Sequence, residues 1–411
     1  MRPLILRQEH FGGILFAPHD GSFLELDHDG YAAVRDRLRG RMILSPMKWQ
    51  FLKEVEQIIV LKNMSYREVP LSSSTVKSKV HAYSAPTLVD LQITNQCFMD
   101  CPHCYASSHP KGEHMPLENI KKLFTEMRDI GVMQVAVGGG EPLLHPHFTE
   151  ILEDAYRKGL VVNITTLGLN FKRKSIEAIK AYSGAVALSL EATDEEFSKR
   201  RRTGFIRFRK SLSTLLGNQI PTVLQVVVSA ENLHCIGNIV DFAESYPELY
   251  GVIFLAYKPV GRGEDFDTPL KNADQAELYS TLKDAFCRLS KFTRVGYDCC
   301  FSPGIGLLEK DFGFSATEPI EGCSAMRGSL GVMADLLVAP CTFTTHLAQG
   351  SLKNQSLLEV WTSANANLFR QGFASRVAKN NACSSCPRSS TCLGGCPAYD
   401  LVNCDNNYLS L

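Results

Sequence analysis

The sequence predicts an α/β protein centred on a parallel sheet, curled into a partial (β/α)6 barrel between a small N-terminal module and a cysteine-rich C-terminal region. Three observations carry this reading. Between about residues 85 and 260, six short β-rich apolar runs alternate with longer amphipathic stretches. Residues 1 to about 80 follow a different pattern, and seven of the 14 cysteines fall between Cys323 and Cys404. At 411 residues the chain is long enough to bury two or three cores.

In chain order, "GGILFAPHDGSFLELD" reads as a hairpin with turn residues in "HDG". "GYAAVRDRLRG" and "SPMKWQFLKEVEQIIV" read as two helices, the second with a Ser-Pro start. The polar "PLSSSTVKSKVHAYSAPT" reads as a linker. The expected strands are "TLVDLQIT", "MQVAVGG", "LVVNITTLG", "AVALSLEA", "TVLQVVVSA" and "GVIFLAYKP". Among the intervening helices, "PLENIKKLFTEMRDIG" puts Ile120, Leu123, Phe124 and Met127 on one face. Nearly continuous apolar strands alternating with helices predict a sheet covered on both faces. Right-handed crossovers curl six such units into an open barrel, with chemistry at the carboxyl ends of the strands. After residue 261 the alternation fades into glycine, cysteine and short turns.

Charge is balanced at 43 basic and 43 acidic residues, which leaves no global field to draw the chain to nucleic acid or membrane. Arg7, Glu9 and His10 break the apolar start, and no uninterrupted apolar run is long enough to span a bilayer. A cytoplasmic location is expected. In a reducing compartment clustered cysteines point to metal or catalysis rather than disulfides. Cys235 and Cys287 stand apart and are expected to be buried, inert thiols.

The densest cluster is Cys97-x3-Cys101-x2-Cys104, followed by Tyr105, just after the first strand. Three thiolates hold three corners of a [4Fe–4S] cubane and leave one iron open. A zinc knuckle is the plainer alternative, and it lacks a fourth ligand apart from His103 inside the loop. The pattern resembles the cluster loop of the radical S-adenosylmethionine (SAM) superfamily. That resemblance covers residues 87 to 260. It implies that the open iron chelates SAM, whose reductive cleavage gives a 5′-deoxyadenosyl radical that abstracts a substrate hydrogen. "GGGEP" is similar to the family's glycine-rich loop, implying that Gly139 and Gly140 approach SAM and that Glu141 takes its ammonium. Ser189, Arg202 and Asn232 are the further implied SAM contacts, Arg202 to the carboxylate, while Tyr105 packs beside the cluster. "KPVGRG" resembles the segment closing strand six. Where many relatives have Thr-Asn-Gly after strand three, this chain has Thr166-Leu167-Gly168, so no SAM contact is expected there.

Farther on, Cys383-x2-Cys386-x5-Cys392-x3-Cys396, then Cys404, follow Cys323 and Cys341 and a strand-like "TFTTH". This spacing resembles the SPASM extension, which holds two auxiliary iron–sulfur clusters. The resemblance implies Cys383, Cys386, Cys392 and Cys404 on the outer cluster, and Cys323, Cys341 and Cys396 on the inner one. The fourth inner ligand is Cys299 or Cys300, with Cys300 preferred on the likeness of "D-x-C-F" to relatives. Leu336 stands where the family has glycine, so the turn there is expected to differ. Zinc ribbons, with paired Cys-x2-Cys, are the alternative.

The domains are therefore expected at 1–80, a winged-helix-like (PqqD-like) leader-peptide recognition module; 85–265, the radical SAM partial barrel; and 290–411, the SPASM domain. The resemblance extends to maturases of ribosomally made peptides. It implies a precursor peptide with a leader as substrate, crosslinked, excised or epimerised, an electron donor such as flavodoxin or ferredoxin, and a separate small recognition protein. Nucleic acid and membrane are not expected as partners. Two alternatives stand: a sulfatase-type maturase forming formylglycine, disfavoured because Thr342 replaces the aspartate after the second SPASM cysteine, and a non-catalytic iron–sulfur scaffold or electron carrier. Tyr105, His145 and Asp298 are candidate bases.

Overall fold

The computed structural model describes residues 2–73, 76–169, 171–304, 322–402 and 404. Near the N-terminus, β1 (Leu4–Glu9), β2 (Gly12–Phe16), β3 (Phe23–Asp27) and β4 (Tyr66–Val69) form a sheet in the order β3-β2-β1-β4. The expected hairpin is β2–β3, pairing Gly12 with Asp27 and Phe16 with Phe23. Asp27 caps α1 (His28–Leu38) by accepting from Gly30 N, and Ser45 caps α2 (Pro46–Ile58), whose first residue is proline. Both helices pack on one sheet face, burying Tyr31, Val34, Leu52 and Val55 among Leu4, Leu6 and Leu15.

Six strands of the barrel region lie side by side and parallel: β5 (Leu88–Thr94), β6 (Gln134–Gly139), β7 (Val161–Thr166), β8 (Ser183–Ser189), β9 (Thr222–Val228) and β10 (Gly251–Ala256). The connecting helices include α3 (Leu117–Asp129), α4 (Phe148–Arg157), α5 (Arg173–Tyr182), α6 (Glu195–Arg201), α7 (Phe205–Gly217) and α8 (Ile236–Glu244). On α3, Ile120, Leu123, Phe124 and Met127 are all buried, as their spacing requires. Among the described residues no closed barrel forms. The sheet instead runs on to ten strands, in the order β11-β10-β9-β8-β7-β6-β5-β12-β13-β14.

The alternation does not stop near residue 261. Helix α9 (Gln275–Leu289) leads to a further parallel strand, β11 (Arg294–Tyr297), against β10. At the other edge β12 (Ser329–Val332) adds in parallel to β5, followed by antiparallel β13 (Leu337–Ala339) and β14 (Gly350–Ser351). These strands have two to four residues, too short for period-two alternation to show in sequence. Leu336 adopts φ +74°, the left-handed conformation that glycine favours. "TFTTH" is not a strand: Thr344 N donates to Cys341 O at 3.0 Å and Thr345–Leu347 is a 3₁₀ turn.

The N-terminal sheet is joined to the barrel by the hydrogen bonds of a buried ion pair within β1. Arg7 bonds Glu9 at 2.8 Å and donates to Pro86 O and Gly131 O, while Glu9 accepts from Ser84 N. The expected linker is therefore pinned at its end: Tyr83, Ser84 and Ala85 are buried, and Trp361 Nε1 donates to Tyr83 O. Among the described residues no helix is long and apolar enough to cross a membrane.

Candidate active site

Strand β5 delivers the chain to the cysteine loop. Thr94 ends the strand, Asn95 N bonds Glu113 O at 2.7 Å, and Cys97 N bonds His109 O at 3.0 Å. The segment after β10 braces the same loop. Arg262 N donates to Cys104 O, Arg262 Nε to Cys101 O, both at 3.1 Å, and Nη1 to Ser108 O at 2.5 Å. Gly261, at φ +66°, is needed for this approach, since a Cβ there would lie 2.4 Å from Tyr105 O. Cys97, Cys101 and Cys104 line a cavity of about 400 Å³ at the carboxyl ends of the strands. Burial pushes the Cys97 thiol up to about 11. Tyr105 lines the same wall, its ring centroid 4.4 Å from that of Phe343, and burial raises its hydroxyl pKa.

The glycine-rich loop meets the cysteine loop backbone to backbone. Gly140 N donates to Thr94 O and Glu141 N to Gln96 O, both at 2.8 Å. Gly139 has φ +113°, and a Cβ there would stand 2.2 Å from Thr94 O. Glu141 is buried against the cavity. Its carboxylate accepts from Thr166 Oγ1 at 2.6 Å, Leu167 N at 3.0 Å and Leu143 N at 3.1 Å. Burial raises its pKa, partly offset by these bonds. The Thr166-Leu167 segment thus orients Glu141. Ser189 also lines the cavity.

Two residues expected as contacts do not line the cavity. Arg202 is exposed in the left-handed position closing α6, at φ +54°, and the neighbouring Arg201 lines the cavity instead. One residue along a helix end turns a side chain by about 100°, which the sequence does not reveal. Asn232 is buried but its amide is used within the fold. It donates to Glu191 O and Val227 O and accepts from Ser229 N, outside the cavity wall. His145 is likewise buried outside the cavity wall, bonded to Met115 O at 3.0 Å. Cys235 is buried, but Cys287 is exposed on α9.

The remaining cysteines form two groups. Cys299, Cys300, Cys323, Cys341 and Cys396 all open on the cavity that holds the first triad. Cys299 lies within hydrogen-bond reach of Cys323, and Cys300 of Cys396. Both members of the tandem pair therefore stand at the inner site. Cys383 feels the charges of Cys386 and Cys404, and Cys392 those of Cys383 and Cys386, which gathers the outer four away from the cavity.

Three cavity residues were not singled out from sequence. Asp90, on β5, accepts from Thr342 Oγ1 at 2.8 Å, and burial pushes it up to about 6. A carboxylate inside the apolar run "TLVDLQIT" was the available signal. Lys258 pairs with Asp298 at 2.6 Å. Arg201 is forked onto buried Glu191.

Together the fold and the cavity define a radical SAM protein with an added iron–sulfur region. The radical SAM superfamily model matches residues 91–243, and the SPASM model, an iron–sulfur cluster-binding domain, matches residues 323–387, ending before Cys392, Cys396 and Cys404. The chain is a radical SAM enzyme with a C-terminal SPASM domain. It is 24% identical over 351 residues to the antilisterial bacteriocin subtilosin biosynthesis protein AlbA of Bacillus subtilis, covering 83% of this chain and 72% of AlbA. It is 26% identical to the AdoMet-dependent heme synthase of Methanosarcina barkeri, covering 76% and 91%. In fold it is similar to Streptococcus suis SuiB bound to precursor peptide SuiA, with TM-score 0.71, 18% identity and coverage of 100% and 97%.

The residues present fit the groups this class implies, SAM with one [4Fe–4S] cluster and further auxiliary clusters. Three thiols face the cavity beside Glu141, and both ring nitrogens of buried His103, in the same loop, lack a hydrogen-bond partner. Among the described residues no group of three or more His, Cys, Asp or Glu side chains is gathered closely enough to hold a single metal ion.

Proposed function

We propose that this chain is a maturase of a ribosomally made precursor peptide, acting in the cytoplasm. In this reading Cys97, Cys101 and Cys104 hold the SAM-binding cluster. Cys323, Cys341, Cys396 and Cys300 hold the inner auxiliary cluster, and Cys383, Cys386, Cys392 and Cys404 the outer one. Glu141, Gly139, Gly140 and Ser189 receive SAM, with Tyr105 packed beside the loop. The cofactor supplies a radical able to take hydrogen from the peptide, and crosslinking, excision or epimerisation follows. One observation carries the reading: a single cavity is lined by the first triad, by the five inner thiols and by Asp90. A substrate held there meets the hydrogen-abstracting site and an electron acceptor together, and Asp90, pushed up to about 6, is placed to take a proton.

The leader would add to β3, one of the two edge strands of the N-terminal sheet, in the strand-addition mode. AlbA, named for bacteriocin biosynthesis, and SuiB, seen with its precursor peptide, support a peptide substrate. The domain bounds 1–80, 85–265 and 290–411, an electron donor such as flavodoxin or ferredoxin, and a separate recognition protein complete the proposal. A sulfatase-type reaction keeps one point in its favour. The carboxylate missing at Thr342 is replaced by that of Asp90, 2.8 Å from the Thr342 hydroxyl.

The test is anaerobic incubation of reconstituted protein with SAM, dithionite and short peptides encoded beside its gene, read by mass spectrometry. Release of 5′-deoxyadenosine with a changed peptide mass is expected. A bare scaffold would release none. A mass change confined to a cysteine or serine oxidised to formylglycine would turn the assignment to the sulfatase type.

A further inference from the structure

Lys258 follows β10 and is 8% exposed. A buried ammonium is costly unless paired and hydrogen-bonded. Its Nζ donates to Ala256 O at 3.0 Å and to Asp298 Oδ2 at 2.6 Å, and stands 4.6 Å from the centre of the Phe343 ring. Asp298 is fixed in turn. Its backbone N donates to Phe254 O at 2.9 Å, and its Oδ1 accepts from Cys300 N at 3.2 Å. That bond caps the 3₁₀ turn Cys299–Phe301, which presents the tandem cysteines to the inner site. Lys258 also lines the cavity, close enough for its charge to act on the thiols of Cys300 and Cys341.

We propose that Lys258 is a positioning and potential-setting residue for the inner auxiliary cluster: through Asp298 it holds the turn carrying Cys299 and Cys300, and its buried positive charge balances Asp298 beside that cluster. This rests on the reading that Cys323, Cys341, Cys396 and a tandem cysteine bind iron. The charges set the sign of each effect, because a nearby negative charge disfavours adding an electron and a positive one favours it. Removing the lysine leaves the Asp298 carboxylate unpaired and lowers the reduction potential. Removing the aspartate charge leaves the ammonium unpaired and raises it. A purely structural pair would not produce opposite shifts.

The experiment uses the full chain reconstituted anaerobically, with iron and sulfide counts and a redox titration followed by electron paramagnetic resonance. The inner signal is the one lost in Cys323→Ala. Lys258→Met is expected to move that midpoint negative, and Asp298→Asn to move it positive. Lys258→Arg should stay near wild type and the double variant should return towards it, with the outer cluster unmoved throughout. Unchanged midpoints, or shifts of the same sign, overturn the proposal. If Lys258→Met does not fold, Asp298→Asn and Lys258→Arg decide it alone. Wild-type protein lacking any signal sensitive to Cys323 overturns the inner-cluster reading and the proposal with it.

Discussion

Arg201 Nε lies 2.6 Å from Oε2 of Glu191, and its Nη2 closes a second contact to Oε1, so the two side chains form a fork. Glu191 is buried and Arg201 nearly so. The Arg201 carbonyl also receives the Cys101 thiol at 3.7 Å, which ties the end of α6 to the cysteine loop. Breaking one side of a buried pair strands the other charge, at about 3–5 kcal/mol. Glu191→Gln should therefore lower the urea midpoint by that equivalent. Arg201→Lys should not restore it, because lysine cannot make the fork. Wild-type stability in Glu191→Gln would count against the pair.

Arg202 gives the opposite result. It is exposed and held at φ +54°, where glycine is at ease and other residues are strained by about 1 kcal/mol. Arg202→Gly should leave SAM binding unchanged and raise thermal stability by a comparable amount. A large drop in SAM affinity would return the contact to Arg202.

Glu141→Gln keeps the shape of the side chain but replaces one acceptor oxygen with a donor. That group then faces Leu167 N or Thr166 Oγ1, both donors to the native carboxylate. Weakening a charge-assisted contact to an ammonium costs about 1.5–3 kcal/mol, so SAM affinity should fall roughly ten- to a hundredfold. Equilibrium dialysis on reconstituted protein measures this, and iron content should not change.

For Asp90 the sign follows from its raised pKa. The folded group titrates at about 6, against an ordinary value of 3.8, so between these limits the folded state binds more protons. Stability therefore falls as pH rises through that window and levels above it, by at most about 3 kcal/mol. Urea unfolding of metal-free protein from pH 4 to 8 should show the fall, and Asp90→Asn should flatten it. Parallel curves for the two proteins would contradict the assignment.

What the sequence determined by itself is whatever short-range spacing encodes. The triad at Cys97, Cys101 and Cys104, the "GGGEP" loop and the alternation from β5 to β10 are all local patterns, since ligand spacing and strand–helix periodicity act within a few residues. Leu336 holds a left-handed conformation without being glycine, because one strained residue is a small cost against the packing around it. Only the tertiary structure decided which arginine faces the cavity, that Asn232 spends its amide inside the fold, and that the sheet continues through β11 and β12. It alone brought Asp90 to Thr342, 252 residues away in the chain, and Lys258 to Asp298, 40 residues away. Such contacts depend on how strands stack and which way a helix end turns, and no pattern along the chain records either.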